Sequence, residues 1–143
     1  MQTQSFPVEV KALTEEGTFE GYASIFDNVD NGGDIVAPGA FAKSLKKGGR
    51  GGSVKMLWNH NPDEPIGIWE EFVEDSKGLL AKGRFILEVG RAKEVYTLMK
   101  ARAITGLSIG YRTIKYDIVD NIRVLKELDL WEVSPVTFPM NVQ

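Results

Sequence analysis

The chain has one histidine, His60, and no cysteine in 143 residues. Proton transfer near neutral pH by an imidazole therefore falls to His60, and any nucleophile must be something other than a thiol. Ser108 has the most unusual surroundings of any hydroxyl. It lies in Gly106-Leu-Ser-Ile-Gly110, with glycine two residues to either side inside an otherwise apolar, strand-like stretch. Glycines there weaken a strand and give the core no side chain. They mark either a bulge or tight barrel curve with the serine facing out, or the close approach of another backbone, such as a substrate's. The spacing superficially matches the Gly-x-Ser-x-Gly nucleophile elbow, but that device needs a strand-to-helix turn, and here the strand pattern continues. An α/β-hydrolase is excluded.

A serine hydroxyl needs a base to take its proton, and a neutral imidazole needs a third group to hold its tautomer. With a single histidine, that third group must be a carboxylate or an amide. Glu132 stands between Trp131 and Val133 in an apolar stretch, where a carboxylate is costly unless paired. Asp27, Asp30 and Asp34, in the polar and glycine-rich stretch Asp27-Asn-Val-Asp-Asn-Gly-Gly-Asp34, are the alternatives. The plain readings are a structural histidine and a water-facing glutamate at a strand edge. His60, at the end of an expected strand and before a proline-bounded loop, sits where scaffolds tend to present functional side chains.

Other chemistries fail on spacing. A calcium loop starting at Asp27 would have Val29 at its third position, where an acidic or amide ligand is required, and Pro38 at its twelfth, where a glutamate is. A zinc site of His60 with Asp63 and Glu64 would lack the further histidines or cysteines that zinc takes. Gly48-Gly-Arg-Gly-Gly52 has no Gly-Lys-Ser/Thr after it and is not a phosphate loop. No cofactor and no metal are expected.

Composition narrows the class. With 43% hydrophobic, 10% aromatic and 26% charged residues, the chain can bury one core and has no apolar run long enough for a membrane span. The opening residues carry no secretion signal, and the lack of cysteine fits an intracellular protein. A net charge of −3 argues against nucleic acid as the main partner. The local basic group of Lys43, Lys46, Lys47, Arg50 and Lys55 reads as a solvated helix face and loop.

The elements that would position these residues follow from periodicity. Residues 8–13 and 18–26 are strand-like, with a Glu-Glu-Gly turn between them. Residues 38–47 start with proline, place Phe41 and Leu45 four apart and are followed by Gly48 and Gly49, which predicts a short helix. A glycine loop, residues 48–53, leads into a strand over 53–60 that ends on His60 and is stopped by Pro62 and Pro65. Residues 66–73 and 78–87 form a hairpin pair about a turn at 74–77. Residues 91–102 set Ala92, Val95, Tyr96 and Met99 at helical spacing. Strands are expected over 103–114 and 122–130, with an extended segment from 131 to 139. The pattern predicts one domain over residues 1–143, mainly β with flanking helices (α+β): an antiparallel, partly closed β-barrel with helices outside.

The segments together resemble the prohead proteases of tailed bacteriophages, capsid-maturation serine peptidases distantly similar to herpesvirus assemblins. The matching stretches are Phe19-Glu-Gly-Tyr-Ala-Ser-Ile-Phe-Asp27, Gly33-Asp-Ile-Val-Ala-Pro-Gly-Ala-Phe41, Val54-Lys-Met-Leu-Trp-Asn-His60, Pro65-Ile-Gly67, Gly106-Leu-Ser-Ile-Gly-Tyr111, Leu130-Trp-Glu-Val-Ser134 and Val136-Thr-Phe-Pro139. They run in family order from about residue 19 to the end.

The resemblance implies that His60 is the base and Ser108 the nucleophile. Glu132 falls where the third member lies. Assemblins have a second histidine there, and this chain has none. It further implies an assemblin-like barrel flanked by helices. The implied substrates are the scaffold region of the major capsid protein, other proteins of the immature shell and the protease itself. The place of action is the prohead in the host cytoplasm. Assemblins act as dimers, so self-association is expected, and family members often continue into a tail, so a removed tail is expected after Pro139.

A non-catalytic scaffolding or capsid-associated β-barrel is the rival expectation. It predicts His60 and Ser108 too far apart to share a proton. An esterase or amidase using the same pair on small substrates is a further rival, and it would be labelled by a serine-directed phosphonate without cutting peptides.

Overall fold

The computed structural model describes residues 2–7, 13–29, 33–46 and 53–138. Its elements are β1 (Gln2–Pro7), β2 (Thr18–Ile25), β3 (Asp34–Val36), α1 (Ala42–Lys46), β4 (Lys55–Trp58), β5 (Asn61–Glu74), β6 (Gly78–Phe85), α2 (Gly90–Lys100), β7 (Gly106–Val119) and β8 (Ile122–Val136). The expected strand at 8–13, except Leu13, lies outside the described residues. So do Asp30, Lys47, Arg50, the glycine loop at 48–52 and the segment from Pro139 on.

The strands form one sheet in the order β1-β7-β8-β4-β5-β6-β2, with β3 also beside β8. The sheet curls into a half-barrel, which brings β1 and β2 at its two ends against each other. Pairing is antiparallel except at β8. One edge of β8 faces β7 along its whole length, and the other is shared by two parallel neighbours: β3 at Arg123, Val124 and Leu125, and β4 at Glu132 and Val133. No helix among the described residues is long and apolar enough to cross a membrane.

The apolar face closes on itself and on α2, whose Ala92, Val95, Tyr96 and Met99 are buried as their spacing predicts. Leu107, Ile109, Leu128 and Leu130 are each at most 1% exposed. Burying each contributes about 1.5–3 kcal/mol, which holds the inner ends of β7 and β8 in place. Gly83 pairs with Phe19 of β2 and Trp69 of β5. A Cβ there would stand 2.6 Å from the Trp69 ring and 2.7 Å from Met56 Cε. The bare backbone thus lets Trp69 lie across β6, pack edge-on to Phe19 at 5.4 Å and donate its indole N–H to the Val133 carbonyl at 3.0 Å. This contact links the β5–β6 hairpin to β8.

Several elements differ from the periodicity reading. The helix expected over 38–47 is preceded by a turn, because Gly39 takes φ +87°, and α1 begins at Ala42. Pro62 and Pro65 lie inside β5 and do not end a strand. Leu57 pairs with Pro65 but Trp58 pairs with Asn61, so residues 62–64 bulge where proline has no N–H to give the ladder. β7 runs on to Val119, and its hairpin with β8 turns at Asp120 and Asn121, both at positive φ. The strand expected at 122–130 and the extended segment after it are one strand, β8.

Candidate active site

β7 and β8 set Ser108 opposite Ser134, and Gly110 opposite Glu132. Side chains alternate faces along a strand, so Glu132 and Ser134 share a face of β8, and Ser108 joins them from the facing position on β7. β4 runs parallel to β8 at Lys55 and Met56, opposite Glu132 and Val133. The chain then turns through Asn59 and His60 while Trp58 pairs with Asn61.

His60 is thus in a two-residue turn, not at the end of its strand. Asn59 and His60 have φ of 50° and 63°, the positive pair that a tight hairpin turn requires. Asparagine and histidine tolerate this region better than most residues, at a cost on the order of 1 kcal/mol for a non-glycine. Two backbone donors hold the turn against β8. The Asn59 N–H donates to the Pro135 carbonyl at 3.2 Å, and the His60 N–H donates to Ser134 Oγ at 3.2 Å.

The imidazole then bridges the two strands. His60 Nε2 is 2.7 Å from Ser108 Oγ, and its Nδ1 is hydrogen-bonded to Glu132 Oε2. Ser134 donates its hydroxyl to the other carboxylate oxygen, Oε1, at 2.5 Å. Ser108 and Ser134 are fully buried and Glu132 is 3% exposed, whereas the His60 side chain keeps 21% exposure. A buried carboxylate is costly unless satisfied; here both oxygens have a partner. A carboxylate can only accept, so Nδ1 carries the proton and Nε2 offers its lone pair to the Ser108 hydroxyl.

The structure therefore brings His60, Ser108 and Glu132 together. The other acidic candidates lie apart from this contact. Asp34 takes Arg123 in a two-pronged pair at 3.0 and 2.7 Å, tying β3 to β8, Asp27 is exposed in the turn after β2, and Asp30 lies outside the described residues. Among the described residues no cluster of His, Cys, Asp or Glu is arranged to hold a metal. Ser134 was not singled out from sequence. Its signal is a hydroxyl two residues after a glutamate in an apolar strand, Trp131-Glu-Val-Ser134, which puts both on one face.

A hydroxyl, an imidazole and a carboxylate in this order can carry out acyl transfer: nucleophile, base and orienter are each in hydrogen-bond contact with the next. The chain belongs to the Caudovirus prohead serine protease family, whose family model matches residues 6–143. It is 38% identical over 133 residues to the prohead protease of Enterobacteria phage HK97, with 90% of this chain and 58% of that protein covered. It is 30% identical to the capsid polyprotein of Pseudomonas phage PAJU2, over 95% of this chain and 20% of the polyprotein. To the prohead protease of Escherichia phage T5 it is 26% identical, covering 92% of this chain and 63% of that protein. The chain thus spans less than two thirds of each relative. The structure of the bacteriophage T4 capsid assembly protease superposes with a TM-score of 0.72, covering 94% of this chain and 96% of that one at 15% identity, which shows a shared fold.

Proposed function

We propose that this chain is a serine endopeptidase of phage head maturation, acting inside the prohead on the scaffold region of the major capsid protein, on other prohead proteins and on itself. The observation that carries the reading is the single imidazole held between a buried carboxylate and a buried serine hydroxyl. Family membership and relatives named as prohead proteases support the activity. The relative that is a capsid polyprotein supports capsid protein as the substrate.

In the mechanism, His60 Nε2 takes the Ser108 proton as Oγ bonds to the scissile carbonyl carbon. The imidazolium, stabilised through Nδ1 by Glu132, gives that proton to the leaving amine as the C–N bond breaks. Water, deprotonated by the same Nε2, then cleaves the acyl ester and restores Ser108. A non-catalytic barrel required the two groups to be out of reach; the 2.7 Å contact removes that basis.

The test is incubation of the purified chain with the capsid protein of its own phage, read by mass spectrometry. Defined fragments of the capsid protein are expected, together with labelling of Ser108 by a serine-directed phosphonate. Intact capsid protein and an unlabelled Ser108 would sink the reading, and labelling without peptide cleavage would favour a small-ester hydrolase. In the same assay Ser134→Ala strips one donor from Glu132 and one acceptor from the His60 N–H. Hydrogen bonds to charged groups contribute about 1.5–3 kcal/mol, so kcat should fall roughly 10- to 100-fold with KM little changed. An unchanged kcat would make Ser134 a packing residue only.

A further inference from the structure

Beyond Tyr111, the residues of β7 are mostly exposed. β1 pairs with it from Gly106 to Tyr111. From Arg112 to Val119, among the described residues, β7 has β8 on one side and no paired strand on the other. Ile114, Tyr116, Ile118 and Val119 are 46%, 53%, 62% and 52% exposed along this arm. An open strand edge presents a row of free N–H and C=O groups, a template that proteins ordinarily blunt. Two register shifts between Thr113 and Tyr116, the exposed charges of Arg112, Lys115 and Asp117, and the Gln2 side chain hydrogen-bonded to Thr113 blunt this edge in part, and beyond Tyr116 the ladder with β8 is regular. The residues are mostly strong strand formers.

The order of the residues identifies the occupant. Outward from Tyr116, Lys115 mirrors Asp117, Ile114 mirrors Ile118, Thr113 mirrors Val119, and Arg112 mirrors Asp120. Each mirrored pair is either opposite in charge or β-branched on both sides. A strand with this antisymmetry is complementary to itself in one arrangement: antiparallel, about a two-fold axis at Tyr116. Lys115 then faces Asp117 of a second copy, Ile114 faces Ile118, and Arg112 reaches Asp120 at the ends. Lys115 also lies 3.7 Å from Glu127 on β8, but it is 65% exposed and free to reach across the edge.

We infer that the free edge of β7 is a self-association surface, where a second copy of this chain adds its own β7 and joins the two sheets through an isologous contact. The inference stands apart from the proposed peptidase activity, because none of these residues touches His60, Ser108 or Glu132. A single strand pair is small beside the roughly 1,600 Å² of a standard interface, so the dimer is reversible and concentration-dependent.

Sedimentation velocity on the whole chain across a concentration series tests this. A monomer–dimer equilibrium is expected. Lys115→Asp and Asp117→Lys each put like charges opposite one another twice per dimer, which should raise the dissociation constant about tenfold or more. Mixing the two variants should restore the dimer, because the register sets the new carboxylate of one chain against the new ammonium of the other and leaves native Asp117 facing native Lys115. Circular dichroism of each variant shows that the fold is kept. Monomer at every concentration, a dimer indifferent to both substitutions, or variants that stay apart when mixed would overturn the inference; a capsid-protein strand as the true occupant would show as the first of these.

Discussion

Ser108→Ala is expected to leave a folded protein whose kcat on capsid protein is lower by about 10⁴ to 10⁶. The substitution removes one oxygen from a fully buried position flanked by Leu107 and Ile109, both fully buried as well, so the packing of β7 is kept. What disappears is the acceptor for the acyl group and the proton that His60 Nε2 is placed to receive. The measurement is the fragment assay described above, beside a thermal melt. Cleavage at the native rate by a folded Ser108→Ala protein would overturn the nucleophile assignment, and with it the peptidase reading.

Glu132→Gln should be nearly as damaging, by about 10⁴ in kcat, although it alters neither shape nor volume. The Ser134 hydroxyl donates to one terminal atom of the side chain, so a glutamine there would point its carbonyl at Ser134 and its NH₂ at Nδ1. His60 Nδ1 would then accept a hydrogen bond, which puts the ring proton on Nε2. An Nε2–H cannot take the Ser108 proton. Asp34→Asn removes a carboxylate as well, but from a pair with Arg123 that ties β3 to β8, so its effect on rate should be small. A reversed ranking of the two variants would take the orienting role from Glu132.

The chemistry was more legible in the sequence than the connections that assemble it. A lone histidine, a serine between glycines and a glutamate in an apolar run are local oddities, each visible without knowing the fold. The β5–β6 hairpin and the buried stripe of α2 were equally plain, because a polar turn at 74–77 separates two apolar runs in one and the other repeats every three or four residues. What periodicity missed has common physical causes. Pro62 and Pro65 read as strand breakers, yet a bulge absorbs them because β5 departs from the β4 ladder there. The arm of β7 past Ile114 gave no buried face to detect, since both of its faces are in water. The positive φ of His60 leaves no mark on composition, and the parallel placement of β3 and β4 along one edge of β8 is a long-range choice that no local pattern encodes.

The parentage of the three groups has a consequence for timing. Ser108 and Glu132 come from one hairpin and are neighbours as soon as its two arms zip together, an early and inexpensive event with little loop to close. The imidazole belongs to a turn 48 residues upstream of the serine and arrives only when β4 seats against β8 over Lys55 and Met56. On the peptidase reading, a nascent or half-folded chain is mute: its nucleophile exists without a base. Competence switches on with the docking of one short strand, the same strand that joins the β7–β8 hairpin to the β5–β6 hairpin, so whatever parts β4 from β8 takes the base from the nucleophile.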